Sequence, residues 1–234
     1  MKILEKDPFI IDRSEGYIGV LIDDLVTKDT LEPYRMMTSR AEYRLILRQD
    51  NADIRLREKG YFIGLISQKQ YDLLKQKIAS IEEEVKRLES THIGASKENQ
   101  IFLANHNSTE LKTSTSLAEL IRRPELNYEI IALIDKDRTE LPDEVKEQVN
   151  INIKYAGYIK RQLHQVEQFK KLESKKLPND FDYKLIKGLR LEAMQKLNSY
   201  RPSSIGQALR ISGVSPADIS VLLVYMEQMK NNHE

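Results

Sequence analysis

Apolar residues recur along most of the chain at the spacing of an amphipathic helix. The clearest example lies between Ser67 and Glu89, where six apolar residues are alternately three and four positions apart. These residues are Tyr71, Leu74, Ile78, Ile81, Val85 and Leu88. The spacing places them on one stripe of a helix. Because the pattern covers fewer than three heptads, we interpret it as a long helix packed on its own domain, with a helical hairpin or coiled-coil seam as the alternative.

Capping signals predict where further helices begin. Ser39-Arg-Ala-Glu42 fits a capping box in a predicted helical region over residues 38–66. Ser116-Leu-Ala-Glu119 fits a second box, and Asn127 is the predicted cap of the next apolar segment. Residues 91–116 are polar and have no sustained period, so we expect a loop there with at most one short helical turn.

The second half of the chain predicts one long helix followed by several short ones. Pro142 suits the first position of a helix that we expect to extend to about Lys176. The sequence Leu177-Pro-Asn-Asp180 breaks this helix. Residues 181–234 then predict short helices joined by turns, and Ser215-Pro216 is a strong start signal for the last of them.

One segment predicts a strand instead. Tyr17–Val26 is a short apolar run rich in β-branched residues, which is typical of a buried strand. The predicted fold is therefore mainly α, a multi-helical domain over residues 1–176 with at most a short strand segment near the N-terminus. A small C-terminal helical bundle subdomain over residues 177–234 completes it.

The composition limits the chemistry that the chain can perform. It contains no cysteine, which excludes disulfides, thiolate metal sites and cysteine nucleophiles. The four histidines are far apart in sequence, and neither glycine motif for nucleotide binding, G-x-G-x-x-G or G-x-x-x-x-G-K-[ST], occurs. Asp23 and Asp24 are adjacent, so on a strand they would point to opposite faces and could not form a catalytic dyad. We therefore expect no catalytic residue and no metal site in this chain.

The sequence also lacks the features of a membrane or secreted protein. No apolar run approaches the roughly 20 residues that span a bilayer, and charges near the start replace the apolar stretch of a signal peptide. We expect a cytoplasmic location. The net charge is only +1, so binding of a nucleic acid would have to depend on local clusters of positive charge.

The densest cluster of positive charge follows the predicted strand. Its basic and aromatic members are Tyr34, Arg35, Arg40, Tyr43, Arg44 and Arg48. Three of the arginines are four positions apart, so on a helix they would form one stripe. Guanidinium groups match phosphate oxygens, and tyrosines stack on bases, so the cluster predicts an RNA or phosphate contact. The alternative is an amphipathic helix whose arginines pair with acids elsewhere in the fold.

A second group of basic residues, mixed with tyrosines, lies further along the chain. Its candidate RNA contacts are Lys154, Lys160 and Arg161, beside Tyr155 and Tyr158. Four more lysines follow between residues 170 and 176. Lysines are common on exposed helix faces, so a solvated face is the alternative. Both groups could contribute to one electrostatic track for RNA.

The segment from Ile205 to Leu222 has the glycine and apolar spacing of a helix-turn-helix. Two features disfavour DNA binding. Leu209 replaces the small residue that lets the helices cross closely, and the first residues of the second helix offer no arginine or lysine to a groove. We instead expect a small helical bundle that presents apolar residues to a protein partner. The candidate contacts are Ile205, Leu209, Val221 and Tyr225.

Long motifs of the chain, taken in order, resemble those of the GidA/MnmG family of tRNA uridine-modifying flavoproteins. They include Tyr17–Lys28, Glu32–Arg48, Asp50–Leu56, Leu120–Glu125, Lys154–Gln162 and Ile205–Ile219. The resemblance runs from about residue 8 to residue 229. The family's amino-terminal half carries the dinucleotide fold with bound FAD and has no counterpart here, so the resemblance implies the C-terminal region alone.

The resemblance implies a role in tRNA modification. The family works with the GTPase MnmE and uses FAD, NADH and a folate one-carbon donor to install an aminomethyl or carboxymethylaminomethyl group on C5 of the wobble uridine. It implies no cofactor in this chain, FAD and NADH in a homodimeric parent, and contacts of this region with the anticodon arm of tRNA and with MnmE.

The resemblance also assigns residues. By motif match, Arg35, Arg40 and Arg44 are the implied tRNA contacts, and Glu192 matches a glutamate that the family associates with function. The family usually has serine where this chain has Arg190. Two alternatives remain, a module that docks the GTPase without RNA affinity and a DNA-binding regulator.

Overall fold

The computed structural model describes residue 5 and residues 7–27, 33–178 and 180–231, and these are mostly helical. The α-helices of this part are α1 (Tyr17–Thr27), α2 (Ala52–Phe62), α3 (Gln68–Ser90), α4 (Lys97–Asn105), α5 (Leu117–Ile121), α6 (Tyr128–Ile131), α7 (Asp143–Lys154), α8 (Ala156–Ser174), α9 (Leu191–Tyr200), α10 (Ile205–Leu209) and α11 (Pro216–Asn231). There are also two 3-10 turns, Thr38–Arg40 and Tyr183–Leu185, and one antiparallel pair of strands, β1 (His92–Ile93) and β2 (Thr115–Ser116). The predicted mainly helical fold is confirmed. Within the described ranges, no helix is long and apolar enough to cross a membrane.

The predicted strand at Tyr17–Val26 is wrong, because these residues form α1. The helix buries Val20 completely on one side and leaves Ile22 about half exposed on the other. Apolar residues on both sides obscure the 3.6-residue period in the sequence, which explains the wrong prediction. Gly19 allows close packing of α1, since a Cβ there would lie 2.2 Å from the carbonyl oxygen of Asp12.

The chain divides into two compact units. The first contains residues 1–9 and 45–161, and the second contains residues 10–44 and 162–234. The boundary therefore falls inside α8 and not after residue 176, where the sequence analysis placed it. Residues 10–44 belong to the second unit because α1 and the segment after it contact the C-terminal helices, for example through an ion pair between Asp23 and Arg210 at 2.8 Å.

In the first unit, α3 is the central helix. It packs against α2, α5 and α7, and the predicted stripe contributes its buried residues Leu74, Ile81 and Leu88. Ser67 caps the helix through a reciprocal box with Gln70. The long helix predicted from the stripe is confirmed, and its neighbours come from its own unit.

The predicted loop over residues 91–116 contains β1, α4 and β2. Ser96 caps α4 by accepting a hydrogen bond from a backbone N–H, a start signal that the polar composition concealed. Pairing of His92 with Ser116 brings the two ends of the segment together. Ser116 caps α5 and Asn127 caps α6, so both predicted cap residues are confirmed. The predicted box at Ser116 is only half formed, because the Glu119 carboxylate pairs with Arg122.

The single helix predicted from Pro142 to Lys176 is interrupted at Tyr155. Helix α7 ends with Lys154 and α8 begins with Ala156, and Tyr155 between them has φ −104° and ψ 11°. Pro142 precedes the first helical residue, so it lies one position before its predicted place.

In the second unit, α9, α10 and α11 enclose a core that includes the fully buried Leu197 and Leu222. Ser204 caps α10. The predicted start of α11 is confirmed, because the Ser215 hydroxyl accepts a hydrogen bond from the N–H of Asp218. These helices form the predicted C-terminal bundle.

A buried ionic network connects α3 with the loop after α6 in the first unit. Arg87 donates to Glu84 at 2.8 Å and to Asp135 at 2.6 Å, and the Tyr128 hydroxyl donates to Glu84 at 2.8 Å. The two carboxylate side chains are only 4% and 2% exposed. Hydrogen bonds to Glu84 and Asp135 raise the pKa of Arg87 above its ordinary value, so the guanidinium stays charged.

We expect Arg87→Met to lower the free energy of unfolding by about 3 kcal/mol, because two buried carboxylates lose their shared cation. Urea unfolding followed by circular dichroism measures this change. Arg122→Met is the matched control. Arg122 pairs with the exposed Glu119 and Glu89, so its loss should cost about 1 kcal/mol or less. Equal losses in both variants would contradict the importance of the buried network.

Candidate nucleic-acid interface

The arginine segment, defined as residues 33–50, does not form the predicted helix. Its one helical element is the 3-10 turn Thr38–Arg40, and bends and turns connect this turn to α2. The predicted stripe of Arg40, Arg44 and Arg48 is therefore wrong, since residues four apart share a face only on a continuous helix.

The capping box predicted at Ser39 and Glu42 is also wrong. Met37 precedes the turn, and no side chain caps it. The Glu42 carboxylate instead accepts hydrogen bonds from the Arg13 guanidinium at 2.7 and 3.2 Å. The Glu42 carboxylate, which the sequence pattern assigned to a backbone N–H, is therefore bound by the buried guanidinium of Arg13.

Arg13 fixes the arginine segment to α1. Its side chain is 3% exposed and forms ion pairs with Asp23 at 2.9 Å, Asp24 at 2.7 Å and Glu42 at 2.7 Å. It also approaches the carbonyl oxygen of Arg40 at 3.4 Å. Burial opposes the charge of Arg13, but the bonds to Glu42 and Asp24 outweigh this effect and raise the pKa of Arg13. Arg13 was not among the residues predicted from the sequence. The adjacent acids Asp23 and Asp24 were the signal that could have indicated a buried cation.

Arg40 is partly held by neighbouring side chains. Its guanidinium lies 4.4 Å from the centroid of the Tyr34 ring and 3.8 Å from the Asp24 carboxylate. The Tyr34 hydroxyl donates to the same carboxylate at 2.7 Å, and burial together with this bond raises the pKa of Tyr34. About a third of the Arg40 side chain remains exposed. Arg40 therefore stabilises the contact with Tyr34 and Asp24, and the exposed part of its side chain faces solvent.

Two residues predicted as RNA contacts are engaged inside their own units. Tyr43 is 7% exposed and packs edge-on against Phe169, with the ring centroids 6.2 Å apart, so it offers no face to a base. Arg48 donates to Asp50 at 3.0 Å and to the carbonyl oxygen of Leu45 at 2.6 Å. These contacts fix the end of the segment before α2.

Arg35 and Arg44 differ from the other arginines of the segment. Both are exposed, and neither forms an ion pair with any residue that the structure describes. Arg13 and Tyr34 hold the turns that carry these two residues. A solvent-exposed guanidinium group on such a turn can bind an external anion without breaking an ion pair inside the protein. Within the arginine segment, these are the two arginines that the described residues leave without an ion pair.

The second basic group is also divided. The Lys154 ammonium donates to the carbonyl oxygens of Arg123 at 3.3 Å and Pro124 at 3.2 Å, so it closes a turn of the first unit. Lys160 and Arg161 are exposed on α8. Lys160 and Arg161 are therefore better placed than Lys154 to contact RNA, the role predicted for all three.

The predicted partner contacts are mostly part of the core of the second unit. Ile205 is fully buried, so its predicted exposure to a partner is wrong. Leu209 packs against the same core. Val221 and Tyr225 are partly buried and line a cavity of about 640 Å³ that also exposes Val224.

Glu192 and Arg190 lie beside the turn between α10 and α11. Gly213 in this turn has φ +96°, and a Cβ there would lie 2.6 Å from Oε1 of Glu192, so the carboxylate lies directly over the glycine. Arg190 donates to Asp218 at 2.5 and 3.0 Å. Arg190 therefore contributes an ion pair to the first turn of α11.

Two family models match most of the chain. Residues 68–163 match the tRNA modifying enzyme MnmG/GidA C-terminal helical domain, and residues 165–234 match the tRNA modifying enzyme MnmG/GidA C-terminal helical bundle. The two matches meet within α8, where the two compact units also meet in the chain.

Curated relatives and solved structures agree with these matches. The chain is 65% identical over 229 residues to the tRNA uridine 5-carboxymethylaminomethyl modification enzyme MnmG of Lachnoclostridium phytofermentans, which covers 98% of this chain and 36% of that protein. It is 60% identical over 232 residues to the enzyme of the same name from Clostridium novyi, which covers 99% and 37%. The form II crystal structure of Aquifex aeolicus GidA matches with a TM-score of 0.77 and 39% identity over 96% of this chain and 35% of that chain. The chain thus spans about a third of the length of these relatives.

We expect Arg13→Lys to lower the free energy of unfolding by about 3 kcal/mol, although the charge is retained. An ammonium cannot reproduce the fork that reaches three carboxylates from one buried position. Thermal melting measures the stability, and limited proteolysis should show faster cleavage within residues 33–44. Arg44→Lys is the matched control, because Arg44 is exposed. Wild-type melting of Arg13→Lys would show that Arg13 does not hold the segment.

Stability should depend on pH through Asp218. Hydrogen bonds from Arg190, and then from Ser215, hold the pKa of Asp218 well below its ordinary value. A carboxylate with a lowered folded-state pKa stabilises the fold above its unfolded-state pKa of about 4, and this contribution is lost as the pH falls below that value. Arg190→Met should therefore be less stable than wild type at pH 7, and the difference should shrink between about pH 4 and pH 2. Urea titrations over this range test it, with Lys187→Met as the control, and a constant difference would contradict the linkage.

Proposed function

The chain belongs to the MnmG/GidA family of tRNA modifying enzymes, and from this premise we propose that it is the tRNA- and partner-binding region of a wobble-uridine modification enzyme. In the proposed reaction the whole enzyme acts with the GTPase MnmE in the cytoplasm. It adds an aminomethyl or carboxymethylaminomethyl group to C5 of the wobble uridine, with FAD and NADH bound outside these 234 residues. The proposed role of this region is to bind, and the chemistry belongs to the rest of a homodimeric enzyme.

The observation that supports tRNA binding is the pair of free cations, Arg35 and Arg44. Other cations near them, Arg13 and Arg40, have carboxylate partners in the same unit. Arg35 and Arg44 are exposed and have no such partner among the described residues. Phosphate oxygens are the anions that this pair would meet on an RNA backbone.

The proposed binding mode follows from the way the segment is held. Turns fixed by Arg13 and by the contact of Arg40 with Tyr34 present the two cations from a rigid surface. Contacts of this kind position an RNA without reading its sequence, so they would orient the anticodon arm toward an active site elsewhere. Glu192 is not part of this surface in the proposal, and its role remains a prediction of the resemblance.

A second candidate function is docking of MnmE without direct RNA affinity. The cavity beside α11 favours it, because Leu185 and Val224 there are 65% and 58% exposed. An exposed apolar groove on a small bundle is typical of a surface that receives a protein partner.

We expect the double variant Arg35→Ala, Arg44→Ala to weaken tRNA binding and to flatten its salt dependence. Each lost phosphate contact should reduce the slope of log K against log salt by roughly 0.7 to 0.9, so by roughly 1.5 for both. Fluorescence anisotropy with labelled tRNA at several salt concentrations measures the slope. The melting temperature should stay unchanged, because neither side chain forms an ion pair with a residue that the structure describes.

The matched control removes two charges elsewhere. Lys69→Ala with Lys86→Ala takes two exposed lysines from α3 and lowers the net charge equally. A similar slope change in the control would mean that only the total charge matters. An unchanged slope in the arginine variant, with wild-type tRNA affinity, would favour the docking function.

A further inference from the structure

Acidic residues are absent from a long stretch around the junction of α7 and α8. Asp and Glu make up 36 of the 234 residues, yet none occurs between Glu147 and Glu167. The stretch contains Lys154, Lys160 and Arg161. A polyanion approaching this stretch would meet no acidic side chain that belongs to it, although the exposed Glu125 lies near Lys154.

Two tyrosines point outward from the same stretch. Tyr155 is 44% exposed and Tyr158 is 61% exposed. The carbonyl oxygen of Tyr155 accepts the N–H of Ile159 at 2.9 Å, so the residues from Tyr155 onward follow the helical repeat and the two tyrosines, three apart, lie on one side of α8. The Arg161 guanidinium lies 4.7 Å from the centroid of the Tyr158 ring.

Apart from Arg161 over the Tyr158 ring, the described residues offer these two tyrosines no hydrogen-bonding or aromatic partner. The hydroxyl groups of Tyr34, Tyr71 and Tyr128 donate to carboxylates. In the part of the chain that the structure describes, neither Tyr155 nor Tyr158 has a hydrogen-bonded hydroxyl or a contact with another aromatic ring.

Gly157 lies between the two tyrosines in sequence, and no close contact within the unit requires a glycine at this position. A Cβ at Gly157 would meet nothing within 4 Å. Glycine within a helix is less stable than alanine, so its presence here is unfavourable for folding alone. On a helix, residues one and two positions apart point in different directions, so Gly157 does not lie on the side of α8 that carries the two rings.

We propose that Tyr155 and Tyr158 form a platform on which unpaired nucleobases of an RNA stack, with Lys160 and Arg161 beside it for the adjoining phosphates. The proposal rests on the proposed tRNA-binding function and adds the contact with bases. Exposed aromatic rings flanked by cations are the usual surface for single-stranded nucleic acids. An enzyme that modifies a base in a loop also requires nucleotides of that loop to leave their stack.

The charge pattern distinguishes this surface from another exposed aromatic site of the same unit. At the end of α2, Tyr61 and Tyr71 stack on each other at 4.3 Å, and Glu58 accepts a hydrogen bond from the Tyr71 hydroxyl. Those ring faces are occupied and an acid is adjacent. Phe62 at the same end is 64% exposed and serves as a matched control for loss of an exposed ring.

The test compares two RNAs with the full chain and its variants. One RNA is a hairpin with a seven-nucleotide unpaired loop, and the other is a fully paired duplex with the same number of phosphates. Tyr155→Ala and Tyr158→Ala should each weaken hairpin binding roughly tenfold, with an unchanged salt slope, and should leave duplex binding as in wild type. Tyr158→Phe should keep the hairpin affinity, because the ring does the stacking.

Gly157→Ala is a second control, because residue 157 is in the same stretch but off the face of the two tyrosines. It should raise the melting temperature, since alanine favours the helix, and leave hairpin binding as in wild type. Unaltered hairpin binding in both tyrosine variants, or an equal loss in Phe62→Ala or Gly157→Ala, would overturn the platform while leaving phosphate binding intact. Loss in the tyrosine variants together with a wild-type slope in the Arg35 and Arg44 variant would support the platform and reject the arginine surface. Absence of binding to both RNAs by the wild-type chain would reject both.

Discussion

Removing a guanidinium from water costs several kcal/mol, and in the second unit that cost is offset by three carboxylates arranged around Arg13. Two of them are on α1 and the third, Glu42, is in the arginine segment. The same cation therefore determines where α1 lies and how residues 33–44 turn. Asp23 extends the network to Arg210, whose guanidinium stacks near Phe169. If the Arg13 site were lost, the surface that presents Arg35 and Arg44 would have no fixed shape.

This constraint also separates two uses of arginine that the sequence presents as one cluster. Arg40 and Arg48 satisfy carboxylates and carbonyl oxygens within their units. Arg35 and Arg44 remain in solvent. Ion pairs within the protein therefore determine which of these arginines can bind a phosphate group. The positive charge that this segment offers to RNA is smaller and more localised than its number of arginines indicates.

The first unit is held together by different means. Its core is the apolar stripe of α3, and its buried acids Glu84 and Asp135 share Arg87. The exposed Tyr155 and Tyr158 lie at the start of α8, in a stretch of sequence that contains no acidic residue. The two units thus offer different chemistry to the same proposed ligand, with guanidinium groups in one and aromatic faces in the other.

The sequence by itself determined the features that depend on local periodicity and local hydrogen bonds. The stripe of α3, the caps at Ser116 and Asn127, and the start of α11 follow from residues within one or two helical turns. Long motifs likewise indicated the family. Only the tertiary structure decided that Tyr17–Thr27 is a helix, that residues 38–50 are mostly turns and that Ile205 is buried. The physical reason is that a carboxylate such as Glu42 can serve a backbone N–H three residues away or a buried cation 29 residues away, and the fold decides which partner it receives.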